Sequence, residues 1–206
     1  MNDASLEHYV RKKVAANDPA HDFAHIMRVC RNAAALAKTE GADPRLVIPA
    51  ALLHDIVSYP KSDPRSSNSS SESARLARRI LGRRNFTPLE IEEISDAIAD
   101  HSYSRGAVPR TLTGKILQDA DRLDAIGAIG IARAFTVGGS ERRALYSPSD
   151  PSCSSRAPDD KKWTLDHFYK KLLLLEEGMN TRSARREARR RSKTMRNFLS
   201  EFLREV

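Results

Sequence analysis

Apolar residues recur along this chain at spacings of three and four, without sustained alternation of apolar and polar positions. That pattern predicts helices and gives strands almost no support. Residues 6–14 carry a weak helical stripe (Leu6, Tyr9, Val10, Val14) that breaks at Asp18-Pro19. Phe23, Ile26, Val29, Cys30, Ala33 and Leu36 form the next stripe, ended by Gly41. Asp43-Pro44 supplies an N-cap and a proline at the first helical position, opening a third helix through Val47, Ala50 and Leu53 to His54. Residues 72–81 read as helix again. Thr87-Pro88-Leu89-Glu90 has the form of a capping box and starts a helix running from Leu89 to His101. Residues 111–137 read as two helices or one broken helix, with Gly127 and Gly130 allowing close approach. A helix over 164–177 carries Leu165, Phe168, Leu172 and Leu175, and a last one runs from Thr181 to the end.

The expected class is therefore all-α: one domain over residues 1–206, built from about eight or nine helices. Its core is expected over residues 20–137, with the helices of 164–206 packed on it. Two stretches rich in Ser, Pro, Asn or Asp, 58–71 and 146–160, are expected to be flexible loops, the first of them a candidate lid over a substrate.

Composition changes this picture little. The chain is 40% hydrophobic and 30% charged, ordinary for a soluble domain with a real core. It has no apolar run of membrane-spanning length. Its first ten residues include Asp3 and Glu7 and no apolar segment, so a secretory leader is not expected. Cys30 and Cys153 are its two cysteines and lie far apart, which suggests neither a disulfide framework nor a thiolate zinc site. A cytoplasmic location is the expectation. The net charge of +8 is uneven: the segment after residue 180 holds a large share of the excess, including Arg189-Arg190-Arg191. A solvated helix face is the plainer reading of that tail, and contact with a nucleic acid or another polyanion is the alternative.

Candidate chemistry centres on Ala50-Ala51-Leu52-Leu53-His54-Asp55-Ile56-Val57. An imidazole and a carboxylate side by side in an apolar run are costly to bury unless they meet a partner or a metal. Near the end of a helix both reach one ion. His21 and His25 lie upstream; Asp119, Asp121 and Asp124 lie downstream in Gln118-Asp119-Ala120-Asp121-Arg122-Leu123-Asp124. On a helix, Leu117, Asp121 and Asp124 share a face, while Asp119 points elsewhere.

The order His … His-Asp … Asp resembles the signature of the HD-domain metal-dependent phosphohydrolases. Over most of the chain the likeness is to a subgroup of small bacterial HD hydrolases that includes nucleoside triphosphate pyrophosphohydrolases. It rests on Leu53-His54-Asp55-Ile56-Val57 with Pro60-Lys61, on His101-Ser102, on residues 118–133, and on Asp166-His167-Phe168 with Lys171-Leu172-Leu173. The resemblance selects His25, which precedes Arg28-Val29, over His21, and it selects Asp121 through Ala120-Asp121-Arg122-Leu123. It thus implies a helical HD domain whose metal ligands are His25, His54, Asp55 and Asp121, with Asp55 also catalytic. Ser58 and Tyr59 stand where the guanosine tetraphosphate hydrolases and the HD-type 5′-nucleotidases place acidic residues, which disfavours both activities.

Two imidazoles and two carboxylates suit Mn²⁺, Fe²⁺, Ni²⁺ or Zn²⁺, and Mg²⁺ less tightly. The implied activity is phosphohydrolysis of a small nucleotide, with conversion of a (deoxy)nucleoside triphosphate to monophosphate and pyrophosphate as the specific expectation. Lys61, His101, Arg122 and Lys171 are the candidate groups for covering phosphate charge. The contrasting reading is a regulatory HD fold that holds nucleic acid through its basic C-terminal helix. Neither reading fixes the oligomeric state.

Overall fold

The computed structural model describes residues 3–15, 22–59, 63–102 and 106–206. His21, Pro60 and Lys61 lie outside the described residues. The described residues form nine α-helices and no strand; the one extended pairing among them is an isolated bridge between Ala144 and Trp163. Among them, no helix is long and apolar enough to cross a membrane. They divide into two compact units, 1–121 and 122–206.

The first unit contains α1 (Asp3–Lys13), α2 (Phe23–Glu40), α3 (Pro44–Leu53), α4 (Ser69–Leu81), α5 (Pro88–Asp100) and most of α6 (Leu112–Asp124). The cap signals act as expected. Asp22 opens α2 by accepting the backbone N–H of His25 at 2.8 Å, and Gly41 closes it in the left-handed conformation that favours glycine. Asp43 accepts from the Arg45 backbone at 2.8 Å, with Pro44 in the first turn of α3. Both halves of the Thr87/Glu90 capping box are made, at 3.3 Å and 2.7 Å.

Apart from Arg45 in its first turn, helix α3 is apolar, so most of it belongs in an interior. It packs on α1, α2, α4 and α5, and Val47, Ala50, Ala51 and Leu53 are fully buried. Ile26, Leu81, Ile94, Ile98, Ile116 and Leu117 complete this core. Cys30 lies inside it, and burial first, then Glu7, pushes its thiol up to about 12; the thiol is a core group rather than a nucleophile. Thr87 caps the helix that leads into His101, a candidate site residue. Thr87→Ala should cost about 1 kcal/mol, read as a lower midpoint in urea unfolding with an unchanged slope.

The segment expected as a flexible loop over 58–71 is partly ordered. Residues Pro64–Asn68 form a 3₁₀ turn, and α4 starts at Ser69. Asp63 explains the difference: it caps the turn by accepting from the Arg65 backbone at 2.8 Å, while Pro64 fixes the next φ.

The second unit contains α7 (Gly127–Ser140), α8 (Asp166–Lys170) and α9 (Arg182–Phe202). Gly127, at φ 78°, separates α6 from α7, and a Cβ there would press on the Arg191 side chain at 3.1 Å. The single helix expected over 164–177 is broken. Lys171 leaves helical geometry, and Leu172–Glu176 continues as a 3₁₀ helix, whose three-residue period buries Leu172 and Leu175 along one edge. Phe168 is fully buried, with Phe135 and Phe198 each 6.0 Å away between ring centroids.

Residues 146–160 are irregular, as expected, but tied down. Asp150 accepts from the backbone and hydroxyl groups of Ser154 and Ser155. Arg156 donates to the Asp150 carbonyl at 2.9 Å and grips the buried Asp166 carboxylate with both terminal nitrogens. Burial alone would raise the Asp166 pKa, but the hydrogen bonds from Arg156 and the Asp159 N–H hold it below its usual value. Its stabilising contribution is therefore present above the unfolded carboxylate pKa of about 3.9 and is lost as pH falls through the folded value.

Candidate metal centre

Two histidines of the site sit where helices stop. The last carbonyls of a helix lack an intrahelical donor, and a histidine just past the end can supply one. His54 follows α3, and its Nδ1 lies 2.8 Å from the Ala51 carbonyl. His101 follows α5, and its Nδ1 lies 2.7 Å from the Ile98 carbonyl. A carbonyl only accepts, so each Nδ1 carries the proton. In the neutral ring each Nε2 then keeps its lone pair and points away from its own helix.

His25 enters from the first turn of α2, Asp55 follows His54 directly, and Asp121 comes from α6. Their ligand atoms converge. His25 Nε2 stands 3.3 Å from His54 Nε2, 3.7 Å from Asp55 Oδ2 and 3.6 Å from Asp121 Oδ1. His54 Nε2 is 3.6 Å from Asp55 Oδ2 and 4.0 Å from Asp121 Oδ1. Asp55 turns its other oxygen to His101, with Nε2 to Oδ1 at 3.5 Å. Two groups able to hold a metal follow: His25 with His54 and Asp121, and His54 with Asp55 and His101, the ligand atoms within each lying within 4.8 Å of one another.

The electrostatics match a cation. Burial pushes the His54 pKa down to about 4, so the ring is neutral at pH 7 and its Nε2 is a donor of electrons. Burial acts on Asp55 and Asp121 in the opposite sense, but the surrounding histidines outweigh it and hold both carboxyls below their usual range. His101 is raised overall: its hydrogen bond and charge contact with Asp55 overcome the effect of burial. Lone pairs and carboxylate oxygens gathered this closely repel one another unless a proton or metal ion lies among them. Atoms bound to one ion at about 2.1 Å stand roughly 3 to 3.5 Å apart, so the observed spacing fits a divalent ion after small adjustments. The histidines are buried, while Asp55 and Asp121 keep 15% and 28% of their side chains exposed, so the centre opens to solvent on the carboxylate side.

The other candidates have different settings. Neither metal-competent group includes Asp119, which is fully buried. Asp124 makes an ion pair with Arg133 at 2.8 Å. Arg122 donates to the Gly178 carbonyl, and Lys171 occupies the break between α8 and the following 3₁₀ helix. His101, assigned from the sequence to phosphate contact, has its ring against Asp55. The sequence reading missed the carbonyls of Ala51 and Ile98. Their signal was available: each lies three residues before a histidine at a helix end.

A family model described as the HD domain matches residues 22–126, which include all five residues of the cluster. The protein YpgQ of Bacillus subtilis is 33% identical over 202 residues, spanning 96% of this chain and 88% of YpgQ. The solved structure of Bacillus subtilis YpgQ in complex with ADP aligns with a TM-score of 0.75 at 30% identity, covering 98% of this chain and 94% of that one. An HD-superfamily hydrolase from Bacillus thuringiensis aligns with a TM-score of 0.77 at 32% identity, covering 98% and 95% of the two chains. With the matched model spanning the ligand-bearing helices and these relatives spanning nearly the whole chain, this protein belongs to the HD domain family.

Proposed function

We propose that this chain is a metal-dependent phosphohydrolase acting on a small nucleotide. The specific reaction we assign is hydrolysis of a nucleoside or deoxynucleoside triphosphate to the monophosphate and pyrophosphate. The observation that carries this reading is the convergence of His25, His54, Asp55 and Asp121 at one place, two imidazoles and two carboxylates drawn from α2, the end of α3 and α6. The complex of YpgQ with ADP supports a nucleotide as ligand.

His25, His54, Asp55 and Asp121 would hold the ion, with Mn²⁺ the first choice among Mn²⁺, Fe²⁺, Ni²⁺, Zn²⁺ and Mg²⁺. When bound, such an ion polarises a phosphoryl oxygen and lowers the pKa of water. The protein's own groups supply the orientation. The Ala51 and Ile98 carbonyls fix the rings of His54 and His101. His101 in turn orients Asp55, whose carboxylate accepts a hydrogen bond from the attacking water. Lys61, Arg122 and Lys171 are the cations we assign to the polyphosphate, since each added phosphate brings charge to neutralise. His101 is kept at the site in the role of orienting Asp55.

The test is incubation with Mn²⁺ and a triphosphate panel in ¹⁸O-labelled water. Label in the nucleoside monophosphate, with pyrophosphate released, is the expected outcome and reports attack at the α-phosphorus. Release of orthophosphate and nucleoside diphosphate would overturn the assigned bond.

A further inference from the structure

Arg189-Arg190-Arg191 reads as one basic cluster in the sequence, but helix α9 divides it. Arg190 pairs with Glu187 at 2.7 Å. Arg191 donates to Glu187 and to the Leu123 carbonyl, both at 2.7 Å. Arg185 bonds the Met179 carbonyl, and Arg196 pairs with Glu176 at 3.1 Å. Four cations of the helix remain: Arg182, Arg186, Arg189 and Lys193. All are exposed, and none has an ion pair or hydrogen bond among the described residues. Their spacings of four, three and four residues place them on one stripe, and a rise of about 1.5 Å per residue makes that stripe roughly 16 Å long.

We propose that this stripe is a binding site for the phosphate backbone of double-stranded nucleic acid, a function independent of the hydrolase reading. Charge complementarity carries the assignment. One strand of a duplex presents a phosphate about every 3.4 Å of axis, so a 16 Å row faces about four or five phosphates. Guanidinium forks match phosphate oxygens, and the three arginines need not give up protein partners to do so. The rest of the helix argues against other polyanions. Every exposed residue of α9 is polar, and its two aromatic rings, Phe198 and Phe202, are engaged with Phe135, which leaves none on the stripe for stacking a single strand. Of its apolar residues, Ala184, Ala188, Met195 and Leu199 are buried, and the half-buried Phe198 and Phe202 pack against Phe135, so no apolar face accompanies the stripe to enter a membrane. A protein partner would find no apolar centre for an interface on this stripe.

The test is fluorescence anisotropy of a short labelled DNA duplex with the full-length protein across a salt series. The stripe variant Arg182→Gln/Arg186→Gln/Arg189→Gln/Lys193→Gln should weaken binding and reduce the slope of log affinity against log salt by about 3 to 4. The comparison variant Arg190→Gln/Arg196→Gln, which removes paired arginines of the same helix, should change that slope by about 1 at most. All six positions are exposed, so circular dichroism and nucleotide hydrolysis should match the parent for both variants. No duplex binding by the parent, an unchanged slope in the stripe variant, or an equal loss in the comparison variant would each overturn the proposal. Binding to phosphatidylserine vesicles without binding to duplex would overturn it in favour of a membrane surface.

Discussion

Asp55→Ala is expected to abolish stable metal binding and to lower nucleotide hydrolysis by at least about 100-fold. Asp55 is the hub of the cluster: one oxygen faces the ring nitrogens of His25 and His54, and the other faces His101. Removing it deletes a ligand, half of the local negative charge and the carboxylate that faces His101. A stability measurement separates this loss from misfolding. A ligand that binds only the folded state stabilises it by RT ln(1 + [L]/Kd), about 2.7 kcal/mol at a hundredfold excess over Kd. The parent should therefore melt at a higher temperature with Mn²⁺ than with a chelator, whereas Asp55→Ala should melt at one temperature in both. Full metal content and full rate in Asp55→Ala would show that the site is wrongly assigned.

Leu53→Ala should produce the largest stability effect of the substitutions considered, a loss of about 2 to 5 kcal/mol. Leu53 is fully buried at the end of α3, the helix that packs on four others in the first unit. Truncating it forfeits the transfer energy of the side chain and leaves a cavity that close-packed neighbours fill only in part. Because the four ligands are untouched, Mn²⁺ should still raise the melting temperature of this variant. The pair of variants thus separates the two layers of the design: Leu53→Ala is destabilised yet metal-responsive, and Asp55→Ala loses the metal response. A melting curve for Leu53→Ala that overlays the parent would contradict the central packing of α3.

Much of the fold was legible because its signals are local. Asp43-Pro44 and the Thr87/Glu90 box act through hydrogen bonds within a few residues, so composition at those positions suffices to place α3 and α5. The break at Lys171 was not legible: four consecutive leucines follow and mark no single face, and packing of Leu172 and Leu175 decides between a continuous helix and a 3₁₀ segment. Asp63-Pro64 in the stretch expected as loop was a cap signal hidden among serines. At the candidate site, the sequence offered residue types and order, while three-dimensional structure decides neighbours. His101 lies 47 positions after His54, and nothing in the spacing reveals that the rings stand 5.0 Å apart. The arginine run shows the same limit. Adjacent residues point about 100° apart on a helix, so a cluster in sequence separates into a bound face and a free one.

Crystals grown with Mn²⁺ and measured at wavelengths on either side of the manganese absorption edge test the central claim most directly. The expected result is one strong anomalous peak within bonding distance of His25 Nε2, His54 Nε2 and a carboxylate oxygen each of Asp55 and Asp121, at about 2.0 to 2.2 Å. A peak held by other residues, or no peak at a manganese concentration that supports full hydrolysis, would contradict it.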